Sequence, residues 1–238
     1  MVTRVDIGDI GVDVVLKDIR NIHLSVYPPA GRVRISAPSH MNIDTIRVYA
    51  ISRLGWIKKQ QGKLRAQDRE TPREYLNWES HYLWGKRYLL KIVEREAPTF
   101  VDLQHSSILL HIRPDATQEK KQSSLDEWYR QLLKEAIPDL ISSWEKKIGV
   151  RVNDFGIRKM KTKWGTCNPE ARRIWINLEL AKKPKECLEY IVVHEMVHLL
   201  ERHHNERFIA LMDNVLPKWC SIRDDLNRLP VKHEEWGY

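Results

Sequence analysis

The chain has 238 residues, 42% hydrophobic and 30% charged, which is enough to bury roughly 70% of the surface its unfolded form exposes and excludes a short peptide or a disordered tail. No apolar run approaches the roughly 18 residues that a membrane-spanning helix needs, and Asp6, Asp9 and Asp13 fall where a secretory signal would be apolar, so the expected location is the cytoplasm with no membrane partner. The net charge of +8 admits an anionic partner such as a nucleotide or nucleic acid.

In chain order, Val12–Lys17, Asn21–Tyr27 and Arg32–Ser36 are short apolar runs bounded by turn residues and predict strands. The segment Tyr27-Pro28-Pro29-Ala30-Gly31 predicts a hairpin turn between two of them. Asn42 then predicts a helix cap, and Ile43, Ile46, Ala50, Leu54 and Ile57 carry one helical period to about Leu64. Beyond the charged connector Arg65–Arg73, strands are predicted at Ser80–Trp84, Arg87–Val93, Thr99–Leu103 and Ile108–Ile112, with a turn at Trp84-Gly85-Lys86. A long helix follows, whose apolar stripe is Leu125, Trp128, Leu132, Ala136, Leu140, Ile141 and Trp144, with Pro138 expected to kink it. Val152–Lys161 and Arg173–Leu178 predict two further strands joined through Trp164-Gly165-Thr166-Cys167-Asn168-Pro169, and helices run from Pro184 onward. Ile19–Gly62 and Ile157–Leu200 share a course of hairpin, proline-containing connector and helix. The fold class is therefore α+β: a mostly antiparallel β region with one helix over residues 1–118, and a second domain with a small sheet over residues 119–238.

The segment His194-Glu195-Met196-Val197-His198 carries the chemistry. Residues four apart on a helix are separated by about 40° around its surface, so His194 and His198 reach one metal ion. Glu195 faces nearly the same side and is placed to take a proton from a metal-bound water, whose pKa zinc lowers to about 7. A catalytic zinc uses three protein ligands and one open position, and Glu201, His203 and His204 are the downstream candidates for the third. His204 would lie about 240° round a straight helix from His198, so the helix has to end near Arg202 for it to coordinate. The spacing of His194, His198 and His204 is similar to that of metzincin proteases, but Glu201 stands where their glycine belongs and their methionine turn is missing.

These residues, with Lys161-Thr162-Lys163-Trp164-Gly165-Thr166-Cys167 before them and Asn205-Glu206-Arg207-Phe208 after them, resemble the YgjP-like metal-dependent hydrolases. Those are relatives of the SprT-like and minigluzincin-type zinc metallopeptidases. The family pattern has a serine at Thr166, an Asn-x-x-Leu element met here by Asn177 and Leu180, and a phenylalanine four residues past the third histidine, met by Phe208. The resemblance covers the C-terminal half and implies a zincin-like domain with a metal-binding active-site helix. It further implies one zinc ion per chain held by His194, His198 and His204, Glu195 as catalytic base, and a peptide or protein as substrate. Lys163, Trp164, Asn177, His203 and Arg207 are the candidate substrate-binding residues. Cys167, Cys187 and Cys220 are an odd number with no close pairing, and read as small packed residues of a reducing compartment.

A second reading comes from charge. Between Arg151 and Arg173 seven basic residues face two acidic ones, so the stretch could hold the phosphates of a nucleoside triphosphate for a metal-dependent pyrophosphatase. A third reading is a nucleic-acid-associated binding module.

Overall fold

The computed structural model describes residues 2–27, 31–66, 73–160 and 163–229. By its contacts the chain divides into two compact units, one up to residue 72 and one over Arg73–Leu229.

The first unit holds four strands and two helices. Strands β1 (Val2–Ile7), β2 (Ile10–Lys17), β3 (His23–Tyr27) and β4 (Arg32–Pro38) form a sheet in the order β1-β2-β4-β3. Antiparallel pairs flank one parallel pair, β2 with β4. Alternation puts Val12, Val14, Val33 and Ile35 on one face, where they bury against Ile46, Ala50 and Ile57. The expected hairpin is present as the β3–β4 pair, although Pro28, Pro29 and Ala30 of its turn lie outside the described residues. Strand β1 was not expected; Gly8-Asp9 between two alternating runs was its signal. The single helix expected from Asn42 is two, α1 (Ile43–Ser52) and α2 (Leu54–Ala66). Asn42 does cap α1, accepting from the Asp44 N–H at 2.7 Å. Arg53 then leaves helical geometry and donates to the Ala50 carbonyl. The apolar period continues across that break because Ala50 and Ile57 pack on the same sheet.

The second unit begins with β5 (Ser80–Leu83), β6 (Lys86–Glu94), β7 (Phe100–Leu103) and β8 (Ser107–Ile112), in the order β5-β6-β8-β7 with β6 parallel to β8. Trp84 and Gly85 join β5 to β6 with φ of 50° and 79°, the paired positive values of a type I′ hairpin. Helix α3 (Gln118–Ile148) follows, running through Pro138 as one helix between a Thr117 N-cap and a left-handed Gly149. Its buried row is Leu125, Tyr129, Leu133, Ile137 and Ile141. The expected stripe was thus displaced by one residue over its middle: Trp128, Leu132, Ala136 and Leu140 flank the core rather than fill it. Both rows are apolar, so periodicity fixed the helix but not its innermost line.

Strands β9 (Asp154–Arg158), β10 (Gly165–Asn168) and β11 (Arg173–Asn177) form a sheet in the order β10-β11-β9. A 3₁₀ turn (Leu178–Lys182) leads into α4 (Lys185–Val197), α5 (Glu206–Val215) and α6 (Trp219–Arg228). The segment read as the connection through Trp164 and Cys167 is itself the edge strand β10, antiparallel to β11, while β9 runs parallel to β11. All three sheets repeat one course, an earlier strand parallel to a later one with the intervening strand on the later one's other side. The similarity between Ile19–Gly62 and Ile157–Leu200 reflects that course.

The expected boundary between residues 118 and 119 falls inside one core. Leu90, Ile108, Leu110 and Ile112 bury together with Leu125 and Tyr129 of α3, Ile174 and Ile176 of β11, and Val192 and Met196 of α4. Hydrogen bonds tie the parts as well. Tyr129 donates to the Tyr82 carbonyl at 2.8 Å, and the Trp84 and Gly85 amides donate to Ala181 and Lys182. Among the described residues no helix is long and apolar enough to cross a membrane.

His81 on β5 is 4% exposed, with Nε2 3.3 Å from Glu79 Oε1 but outside hydrogen-bond geometry. Burial first, then the Arg73 guanidinium, lowers its pKa from 6.5 to about 4, against the pull of Glu79. The unfolded chain therefore binds the extra proton between pH 6.5 and 4, and stability falls as pH drops through that window. His81→Gln is expected to flatten the loss of thermal stability over that range, removing a contribution on the order of 1–3 kcal/mol. Melting curves of both proteins at stepped pH check this, and an unchanged slope would contradict it.

Candidate metal centre

Helix α4 starts after Pro184, whose ring suits the entry to a helix. It is buried on nearly all sides, by Leu188, Tyr190, Ile191, Val192, Val193, Met196 and Val197, as befits a helix at the centre of a core. His194 and Glu195 lie in its last turn and His198 caps its C-terminus. There the bonding tightens: the Leu199 and Leu200 amides donate to Met196 and Val197 three residues back. The helix thus ends earlier than the expected Arg202, and the chain turns. Asn205 restarts it as the N-cap of α5, accepting from the Phe208 N–H at 3.0 Å.

That turn brings His204 back over α4. Its Nε2 lies 3.0 Å from His194 Nε2, and one ligand atom each of His194, His198 and His204 fall within 4.8 Å of one another. Phe208, 1% exposed, packs under the cluster with its ring centre 5.0, 4.7 and 4.7 Å from the three imidazoles. His198 Nδ1 is 3.0 Å from the Glu201 carbonyl oxygen, and a proton on Nδ1 leaves Nε2 with its lone pair free. Glu201 also accepts from the His203 N–H at 3.2 Å, so its carboxylate shapes the turn that carries both histidines.

Burial, and then the His198 and His204 rings, push the His194 pKa down to about 3, and burial lowers His198 too. Neutral imidazoles are what a metal requires. Nitrogen ligands of a tetrahedral zinc are about 3.3 Å apart, within the span of this cluster, so the residues fit such an ion. Cys167 does not join them: burial and then Glu195 push its thiol up to about 11.

Glu195 is 5% exposed. Burial raises its pKa to about 8, opposed by the Lys163 ammonium, and a divalent cation alongside would pull it down again. Gly165 of β10 lies directly against it. A Cβ there would sit 2.6 Å from Glu195 Oε1 and 2.8 Å from Cγ, so the glycine of the Trp-Gly-Thr-Cys segment is the residue that lets the strand approach the carboxylate. Gly165→Ala is expected to displace that carboxylate and lower kcat/KM by about 10- to 100-fold with metal content unchanged. Kinetics beside metal analysis of the variant tests it, and full activity would contradict it.

A cavity of about 590 Å³ opens over the cluster, with Lys163, Trp164, Thr166 and Cys167 on one side and Tyr190, Ile191, Arg223 and Leu226 on another. Of the five expected substrate-binding residues, Lys163 and Trp164 line it and the others do not. Asn177 is 3% exposed and clamps the backbone instead: its Nδ2 donates to the Met160 and Lys163 carbonyls at 2.9 and 2.8 Å. His203 and Arg207 point to solvent around Glu201, the Arg207 guanidinium 3.9 Å from its carboxylate. Arg202, Tyr190 and Arg223 line the cavity and were missed. Tyr190 stands one helical turn before His194, a spacing that could have found it. Arg223 arrives from a separate helix and had no local signal.

The family model described as YgjP-like, metallopeptidase domain, matches residues 20–229. No curated protein matches the chain. Among solved structures, the metallopeptidase zymogen of Pyrococcus abyssi abylysin is 21% identical over 38% of this chain and 90% of its own, with a TM-score of 0.36. That of Methanocaldococcus jannaschii jannalysin is 19% identical over 38% and 92%, with a TM-score of 0.34.

Proposed function

Because the chain belongs to the YgjP-like metallopeptidase family, we propose that it cleaves peptide bonds at the cluster of His194, His198 and His204, with Glu195 as the catalytic base. The observation that carries this reading is the meeting of three imidazoles within 4.8 Å beside a buried glutamate. Three imidazoles suit one zinc ion per chain, which when bound would acidify a water and polarise the scissile carbonyl. Glu195 would take a proton from the water as that water adds to the scissile carbonyl, and hand it to the leaving amine as the C–N bond breaks. Gly165 holds strand β10 against the base. The substrate adds as a further strand along β10. In that sheet β11 is central, with β10 on one edge and β9 on the other. Lys163 and Trp164 then meet the substrate at the start of β10. A cytoplasmic setting suits cysteines that form no disulfide.

The pyrophosphatase and nucleic-acid readings needed the basic stretch to stay free for phosphates. Much of it is engaged elsewhere: Arg158 lies 3.3 Å over the Trp175 ring, Arg173 pairs with Asp154 at 2.6 Å, and Lys159 pairs with Asp126. Lys161 lies outside the described residues. The test is a panel of unstructured peptides and casein beside the nucleoside triphosphates, read by mass spectrometry. New peptide amino termini are expected, lost on chelation and restored by zinc. Pyrophosphate release with every peptide intact would overturn the proposal.

A further inference from the structure

The cavity over the histidine cluster is lopsided in charge. Lys163, Arg202 and Arg223 line it, and the sole lining carboxylate among the described residues is Glu195. Among the described residues neither Lys163 nor Arg202 lies within ion-pair distance of a carboxylate, and the Lys163 charge acts on Glu195 only from farther off. An unpaired cation on the wall of a cleft is an anion site in waiting. Each comes from a different place: Lys163 precedes β10, Arg202 lies in the turn between His198 and His204, and Arg223 is on α6.

Arg223 is the built member of the set. Its guanidinium lies 5.0 Å over the Trp219 ring, and Nε and Nη2 each sit 3.0 Å from Asp224 Oδ1. Trp219 is fixed in turn by donating to Asp213 at 2.7 Å, and it stacks on Tyr190, whose ring edge meets His194 at 5.7 Å. An aromatic ladder therefore runs from the cluster to the guanidinium and sets its place on the cavity wall. The Nε–H donates to Asp224 and Nη2 makes an ion-pair contact with it, and the rest of the five-donor fork remains for a ligand.

We propose that this cavity selects peptide substrates that carry a carboxylate near the scissile bond, with Arg223 and Arg202 as specificity-determining residues and Lys163 reinforcing them. The inference rests on the peptidase reading above and names its substrate class. The carboxylate belongs either to an Asp or Glu side chain or to a free C-terminus a few residues past the cleaved bond. Both present the planar pair of oxygens that an arginine fork matches.

The test measures binding apart from turnover. Labelled peptides matched except for one Glu or Gln, each with a free or amidated C-terminus, are titrated into the Glu195→Gln protein and followed by anisotropy. The acidic member of one or both pairs is expected to bind roughly 10-fold tighter, an advantage that shrinks with salt. Arg202→Gln with Arg223→Gln should erase most of that difference, and Arg223→Glu should turn the preference toward a matched Lys peptide. Which pair responds identifies the source of the carboxylate. Equal affinity within both pairs, or a preference that survives the double substitution, overturns the proposal. Failure of the wild-type protein to cleave any bound peptide would overturn the peptidase reading instead, and leaves the binding comparison to decide the charge selectivity.

Discussion

Glu195→Gln is expected to lower kcat/KM for peptide cleavage by about 10³-fold, within the range that a positioned general base contributes. The amide keeps the shape of the carboxylate, so it still packs against Gly165, where little room is left. It cannot accept a proton, so the step assigned to Glu195 is lost while the three imidazoles are untouched. Metal content should therefore equal that of the wild type. Stability should not fall either, because a carboxylate whose pKa burial raises to about 8 is costly to ionise there, and the amide has no charge to desolvate. Steady-state kinetics, metal analysis and a melting curve on one preparation check all three. A variant that retains more than about a tenth of wild-type activity would show that another group takes the proton.

His204→Ala is the second large effect, and it acts on the ion. The expected change is a loss of metal affinity of at least about 100-fold, since removing an outer partner of a ligand alone costs 10- to 100-fold. His204 is exposed and reaches the cluster only through the turn after α4. The metal-free variant should then melt within a degree or two of the wild type, since most exposed substitutions change stability by under about 0.5 kcal/mol. Phe208→Ala is the contrasting case, because emptying a fully buried ring site costs about 3–5 kcal/mol and would perturb the fold and the centre together. His203→Ala should leave metal affinity within about 3-fold of wild type, because that residue meets the turn through its backbone N–H. Competition titrations with a chromophoric chelator measure these affinities. Loss of metal in His203→Ala with retention in His204→Ala would reverse the assignment of the third ligand.

What the sequence made legible was local. A strand announces itself by alternation, and β2 to β8 were visible in that way. His194, Glu195 and His198 sit within one turn of one helix, so their spacing alone gives their geometry. His204 was reachable because only five residues separate it from His198, although its coordination depended on where the helix stopped. The rest came from across the fold. Residues 118 and 119 mark a change in composition, but Leu110 and Leu125 on either side share one core, and hydrophobic burial takes no account of such a change. Which strand lies at the sheet edge depends on pairing between distant segments, and only that pairing places β11 in the centre with β10 beside it. Asn177 drew attention through the Asn-x-x-Leu element it shares with Leu180. Its amide is spent on the Met160 and Lys163 carbonyls, as a buried amide must be. Arg223 reaches the cavity through Trp219 stacked on Tyr190, and Gly165 meets Glu195, pairings across 29 and 30 positions that no periodicity encodes.

The most direct measurement is the rate of peptide hydrolysis as zinc is returned to the stripped protein in known equivalents. An inactive starting state is expected, with a rise that breaks at about one equivalent per chain, as a single site with three protein ligands requires. Hydrolysis by the stripped protein, or none at any zinc level with a peptide that the protein binds, would contradict it.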